Sequence, residues 1–106
     1  MSGRDERLAS NEVYFRDINE VVEEQVRDIA GDDATFNVLC ECAALDCGER
    51  IALTPAEYAA VHADPRRFVV VPGHANEEIE DVVSRDSRYD VVRKRGAAGD
   101  IAEESA

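Results

Sequence analysis

Tryptophan is absent from this chain, methionine occurs once, and the aromatic residues are three Phe and three Tyr. A chain of this size buries about two thirds of its unfolded surface. A core so poor in large rings leaves room for a second source of stability, such as a bound metal. Lysine is nearly missing as well: one Lys stands against eleven Arg. Acidic residues outnumber basic ones 24 to 12, for a net charge of -12. A surface of that sign repels phosphate backbones, which weighs against general nucleic-acid binding. The sequence contains no apolar stretch long enough to span a membrane and no leader pattern, so a cytoplasmic location is expected. Neither a glycine-rich phosphate loop nor a serine elbow is present, and the corresponding enzyme classes have no support.

What is there is concentrated. All three cysteines fall in one short run, Cys40-Glu41-Cys42-Ala43-Ala44-Leu45-Asp46-Cys47. In a reducing compartment, clustered cysteines bind metal or do redox work more often than they form structural disulfides. Zinc favours four thiolate and imidazole ligands in a tetrahedron. In extended backbone, residues i and i+2 point to the same face, so Cys40 and Cys42 can meet one ion, and Cys47 returns through a turn between Asp46 and Gly48. Locally the spacing resembles the post-SET zinc segments, in which three cysteines await a fourth ligand from elsewhere. His74, in a Pro72-Gly73-His74 turn, is the first candidate for that ligand; His62 is the reserve, and Asp46 is a third option crowded by its place beside Cys47. Other readings stay open: a thiol switch in which two cysteines bridge, a catalytic zinc open at its fourth position, or inert small side chains. Arg66-Arg67 offers a weaker anion site. Glu77, Glu78, Glu80 and Asp81 offer a calcium site that lacks the glycine and alternating spacing of a calcium loop.

The elements follow from local signals. Residues 1–9 read as a flexible tail. Ser10 or Asn11 can cap a helix running to Ile29 or Ala30, with Phe15, Ile18, Val22 and Ile29 at helical spacing and Tyr14, Val21 and Val26 beside them. That wide stripe is expected to cover a sheet or to pair with another helix. Gly31-Asp32-Asp33 turns the chain. Strands are expected over 35–40, 50–53 and 68–71, the last a buried apolar run between Pro65 and Pro72. Thr54-Pro55-Ala56-Glu57 carries a capping box and predicts a helix over 55–63. Val82-Val83 and Tyr89 to Arg93 flank a polar cluster and predict a hairpin, with a helix through 77–84 as the rival. Residues 96–106 read as a disordered acidic tail.

The pattern of Cys40-Glu41-Cys42 to Cys47, Glu49-Arg50-Ile51, Leu53-Thr54 with Glu57-Tyr58, Asp64-Pro65-Arg66-Arg67-Phe68, Val71-Pro72-Gly73-His74 and Tyr89-Asp90-Val91-Val92 resembles a group of short uncharacterised actinobacterial proteins. Phe15-Arg16-Asp17-Ile18-Asn19-Glu20 is similar to the start of the same group. The resemblance spans residues 11–95. It implies a shared domain and places Cys40, Cys42, Cys47 and His74 in one site, with no activity attached. Together these readings give a single α+β domain over 10–95, in which a long N-terminal helix packs on a small, mostly antiparallel sheet and a zinc ion ties the 40–47 loop to the 72–74 turn. The expected function is non-enzymatic: a protein-interaction or regulatory module, with the helix at 11–30 as its contact or self-association surface. The basic run Arg85, Arg88, Arg93, Lys94 and Arg95 is either solvated surface or a complement to the acidic residues of 11–33.

Overall fold

The computed structural model describes residues 3–106. In chain order it contains α1 (Gly3–Ala30), β1 (Phe36–Leu39), β2 (Arg50–Leu53), α2 (Pro55–Val61), β3 (Arg67–Val70), β4 (Glu80–Arg85), β5 (Asp90–Lys94) and α3 (Gly96–Glu104). The class is α+β, with a long N-terminal helix against small antiparallel sheets. β1 and β2 pair antiparallel in the register Phe36↔Leu53 to Leu39↔Arg50. β3, β5 and β4 form a second antiparallel sheet in that order. The sheets are joined just past β1, where Glu41 N donates to Val69 O at 2.9 Å. That bond carries the cysteine loop across to β3 and, through β3, toward the Pro72-Gly73-His74 turn.

Local signals account for several elements. Thr54 caps α2: Glu57 N donates to Thr54 Oγ1 at 3.2 Å, and Thr54 N donates to Glu57 Oε1 at 3.0 Å. Phe36, Val38 and Cys40 alternate inward along β1 and its extension, while Ile51 and Leu53 face them from β2. Phe68, Val69 and Val70 are all fully buried, as expected for a strand covered on both faces. β4 and β5 form the hairpin, with an irregular register between Val82 and Ser84. Residues 76–79 make a single turn closed by Ile79 N and Glu80 N on Asn76 O, so the rival helix through 77–84 is not formed.

Two expectations are overturned. First, the ends are structured. α1 begins at Gly3 rather than at Ser10 or Asn11, and residues 1–2 of the expected tail lie outside the described residues. At the other end, 96–104 form α3, which packs on α1 with Ala98, Gly99 and Ala102 buried. Small residues permit this close approach, and Arg66 holds the helix through Asp100 and Glu103, both at 2.6 Å. Second, α1 does not cover the sheet with its apolar stripe. Its buried residues are Ala9, Glu12, Val13, Arg16, Asn19 and Glu23, whereas Tyr14, Val21, Val22 and Ile29 are exposed. Of the expected stripe, Val26 packs partly against the core. The polar residues go inside because partners wait there. Arg16 donates to Pro65 O and Ala102 O and lies over the Phe68 ring. Asn19 brackets Leu39, donating to its carbonyl at 2.8 Å and accepting from its N–H at 2.9 Å.

The basic run is largely consumed within the molecule. Arg88 pairs with Glu57, Arg93 with Asp64, and Arg95 with Asp81. Lys94 is fully buried between Glu12 and Glu80, with its Nζ over Phe68. Burial lowers Lys94 to about 6 and raises Glu80 to about 7, so desolvation drives both groups toward their neutral forms near neutrality.

Candidate metal centre

Cys40 leaves β1, Cys42 follows in the loop, Cys47 ends the loop, and His74 stands on the turn after β3. Their ligand atoms, three Sγ and one imidazole nitrogen, all lie within 4.8 Å of one another. His74 Nδ1 is 3.7 Å from Cys40 Sγ and 3.5 Å from Cys47 Sγ. A tetrahedral zinc with Zn–S of about 2.3 Å and Zn–N of about 2.05 Å has an S···N edge of about 3.6 Å. The two measured separations bracket that edge. The donor set therefore fits a tetrahedral cation, and the two S···N separations match it.

Local structure explains the convergence. Across Cys40-Glu41-Cys42, where the chain leaves β1 and bends, both sulfurs join the cluster while the Glu41 carboxylate turns into the core to meet Tyr58 and Val69. Val71 N donates to Cys40 Sγ at 3.2 Å, tying the first ligand to the end of β3. Cys47 N donates to Ala44 O at 3.1 Å, closing the turn that brings Cys47 back, and Gly48 continues it at φ 63. Gly73, at φ 86, turns His74 toward the sulfurs. His74 N donates to Val71 O at 2.9 Å, and Gly73 N donates to Asp90 Oδ2 at 3.2 Å.

Two carboxylates support the site, and the sequence reading assigned neither of them. Glu49 Oε2 lies 3.0 Å from His74 Nε2. With Nε2–H donating there, the Nδ1 lone pair faces the sulfurs, which is the carboxylate–imidazole arrangement that orients metal-binding histidines. Glu41, fully buried, accepts four hydrogen bonds: from Asn19 Nδ2 (3.0 Å), Tyr58 OH (2.7 Å), His62 Nε2 (2.8 Å) and Val69 N (3.0 Å). The reserve candidate His62 is thus engaged with Glu41 and is not in the cluster. Asp46 is exposed and outside it too. The signals for the two carboxylates were the residue between two ligands, facing away from them, and an acid two residues past Cys47.

The electrostatics favour a cation. With protons alone to share, the thiols divide their roles. The Cys40 S–H donates to Cys42 and is held well above the usual thiol range by that bond and by burial. Cys42 receives it and falls to about 5, while burial raises Cys47. One thiolate is tolerated; three need a compensating positive ion. An open cleft of about 620 Å³ borders Cys42 and His74, with Asn76, Arg85 and Asp90 on its wall.

The weaker sequence candidates find other uses. Arg66 is committed to α3, and Arg67 Nε lies 3.9 Å from Asp64. Glu80 is buried on Lys94 and Glu78 pairs with Arg4, so the four acids at 77–81 do not gather as ligands. Among the described residues no helix is long and apolar enough to cross a membrane. Comparison with protein-family models, curated proteins and solved structures finds no match for this chain.

Proposed function

We propose that this protein is a small, non-enzymatic cytoplasmic module in which Cys40, Cys42, Cys47 and His74 hold a structural zinc ion, and that it serves as a protein-interaction or regulatory domain. The observation that carries the reading is the four-donor cluster, with all ligand atoms within 4.8 Å of one another. Four protein ligands leave no position for a substrate. Three thiolates also give the ion a net negative charge, so it acidifies water poorly. Zinc rather than a harder cation suits a sulfur-rich set. The resemblance of residues 11–95 to the actinobacterial group belongs to the same proposal, as does contact with a protein partner through α1.

Elemental analysis of the purified protein tests it. The expected result is about one equivalent of zinc, with unfolding in chelator, because ligation and folding are coupled. Cys42→Ser and His74→Ala should each weaken zinc binding and destabilise the fold. Less than about half an equivalent of zinc, with normal folding in chelator, rejects the reading.

The low-lying Cys42 thiol supports a second reading, a redox sensor that releases zinc on oxidation. Thiol titration before and after mild peroxide separates the two: a sensor loses thiols reversibly and changes its folding or partner binding. An enzyme with an open zinc site is the least supported alternative; it requires water, not His74, in the fourth position.

A further inference from the structure

We infer that the outer face of α1 docks a basic amphipathic helix of a protein partner. The inference rests on the reading of this protein as an interaction module and names the chemistry of what it contacts.

The residues that α1 turns to the core leave its apolar stripe unused. Tyr14 and Val21 are each 58% exposed and Ile29 is 87% exposed; Val22 is exposed beside them, and Phe15 and Ile18 are half-buried. At about 100° per residue these six fall within an arc of about 120°, running about 22 Å from Tyr14 to Ile29. Single exposed aliphatic residues are ordinary. The stripe is straight and broken only by exposed Gln25, between Val22 and Ile29, and such a surface on one helix is shaped for another helix. It also continues toward the metal loop. Asn11 lies on the same arc one turn earlier and donates to Ala43 O at 2.9 Å, and Leu45, 63% exposed, shares a shallow cleft with Leu8 and Asn11.

Charge selects the occupant. The border of the stripe away from the core carries Asp17, Glu24 and Asp28, all exposed. A second copy would set these acids against their own counterparts, in a chain whose net charge is -12. Anionic lipid or nucleic acid is repelled on the same ground. A helix with an apolar stripe edged by Lys or Arg satisfies both features, since its bases meet the acidic border while its apolar residues cover the stripe.

The test uses the zinc-loaded full chain and two synthetic amphipathic peptides of about 20 residues. Both carry Leu at helical spacing; one is bordered by Lys, the other by Glu. Titration calorimetry should show binding of the Lys peptide and none of the Glu peptide. The Val21→Gln, Val22→Gln, Ile29→Gln triple variant keeps the charge and the helix propensity, and should bind the Lys peptide at least about tenfold more weakly with zinc content and circular dichroism unchanged. Equal binding by the triple variant would show bulk charge attraction and overturn the inference. So would failure of the Lys peptide to bind, equal binding of the Glu peptide, or sedimentation showing a wild-type dimer that the triple change dissociates. A zinc-loaded, chelator-sensitive fold that ignores the peptide removes only the docking inference, whereas a fold indifferent to zinc removes the structural-zinc reading.

Discussion

Removing the Glu41 side chain should damage both the fold and the metal centre. The carboxylate accepts from Asn19 Nδ2, Tyr58 OH, His62 Nε2 and Val69 N, all between 2.7 and 3.0 Å. Those donors come from α1, α2, the end of α2 and β3. In Glu41→Ala, Val69 N–H and the His62 ring lose this acceptor, whereas Asn19 Nδ2 keeps Leu39 O and the Tyr58 hydroxyl can turn to Arg16 O, 3.3 Å away. At about 1 kcal/mol or more for each buried donor left unsatisfied, the loss is about 2–4 kcal/mol. A domain of this size has about 5–15 kcal/mol in total, so the alanine variant gives up a large share of its stability. Glu41→Gln keeps the shape and one acceptor oxygen. The Tyr58 hydroxyl can accept from the new NH₂ while donating to Arg16 O, whereas Val69 N–H can only donate and Asn19 cannot turn without losing both bonds to Leu39, so the oxygen should stay with Val69 and His62. The cost then falls to about 1–2 kcal/mol, mainly the lost charge assistance. Because Glu41 lies between two ligands, zinc affinity should fall about 10- to 100-fold. Urea unfolding in excess zinc measures the first effect, and competition with a chromogenic chelator measures the second. Equal stability of the alanine and glutamine variants would refute the hydrogen-bond argument. An alanine variant that binds zinc as the wild type does would refute the claim that this carboxylate positions the ligands.

Further outcomes follow from single contacts. Glu49→Ala frees the His74 ring and should weaken zinc about 10- to 100-fold in chelator competition, with the fold intact in excess zinc because the side chain is exposed. Gly99→Ala places a Cβ against the Arg66 guanidinium and 3.0 Å from Lys94 O; overpacking of about 1–3 kcal/mol outweighs the helix-propensity gain of about 1 kcal/mol, so thermal melts should shift down. Glu80 has a native value of about 7, above its ordinary 4.5, so the native state holds its proton more tightly. Its contribution is therefore fully present below pH 4.5 and is lost as pH rises through 7. Between pH 6 and 8 the wild type should lose about 1 kcal/mol relative to Glu80→Gln in excess zinc, read from urea midpoints; a constant difference across that range contradicts the assignment.

Features written in short spans were legible in the sequence. The capping box at Thr54 and Glu57 is complete within four residues, and the inward alternation of Phe36, Val38 and Cys40 is a property of one strand. The cysteine cluster with His74 was legible because sulfur and imidazole have few other reasons to gather. The missing parts depend on distant partners. Asn19 is buried in α1 because it satisfies both backbone groups of Leu39, and nothing near Asn19 in the chain announces that. Glu12 is buried because Lys94 is there to meet it. Hydrophobic periodicity assigned α1 the wrong inner face because it counts apolar residues and is blind to such partners. Residues 96–104 looked too small and too acidic for a packed helix. In the fold, small size is what lets α3 approach α1, and its acids serve Arg66.

The layout of the centre bears on the choice between structural zinc and a thiol switch. Cys40 and Cys42 flank Glu41 just past the end of β1, with the chain bending at Cys42. A bridge between them closes a tight ring around Glu41 and would pull on the residue whose carboxylate holds four hydrogen bonds. A bridge from Cys47 to either of them asks for movement only in the 43–47 loop, which has one side-chain tie to α1, through Asn11 and Ala43. Oxidation confined to Cys47 and one partner would therefore leave the Glu41 hub, and with it the fold, largely in place while abolishing the four-donor set. A metal ion would engage all three sulfurs while Glu41 keeps its four hydrogen bonds. The Glu41 hub therefore opposes only a Cys40–Cys42 bridge: a switch would work through Cys47, breaking the four-donor set with the fold kept, whereas structural zinc predicts unfolding once that set is lost.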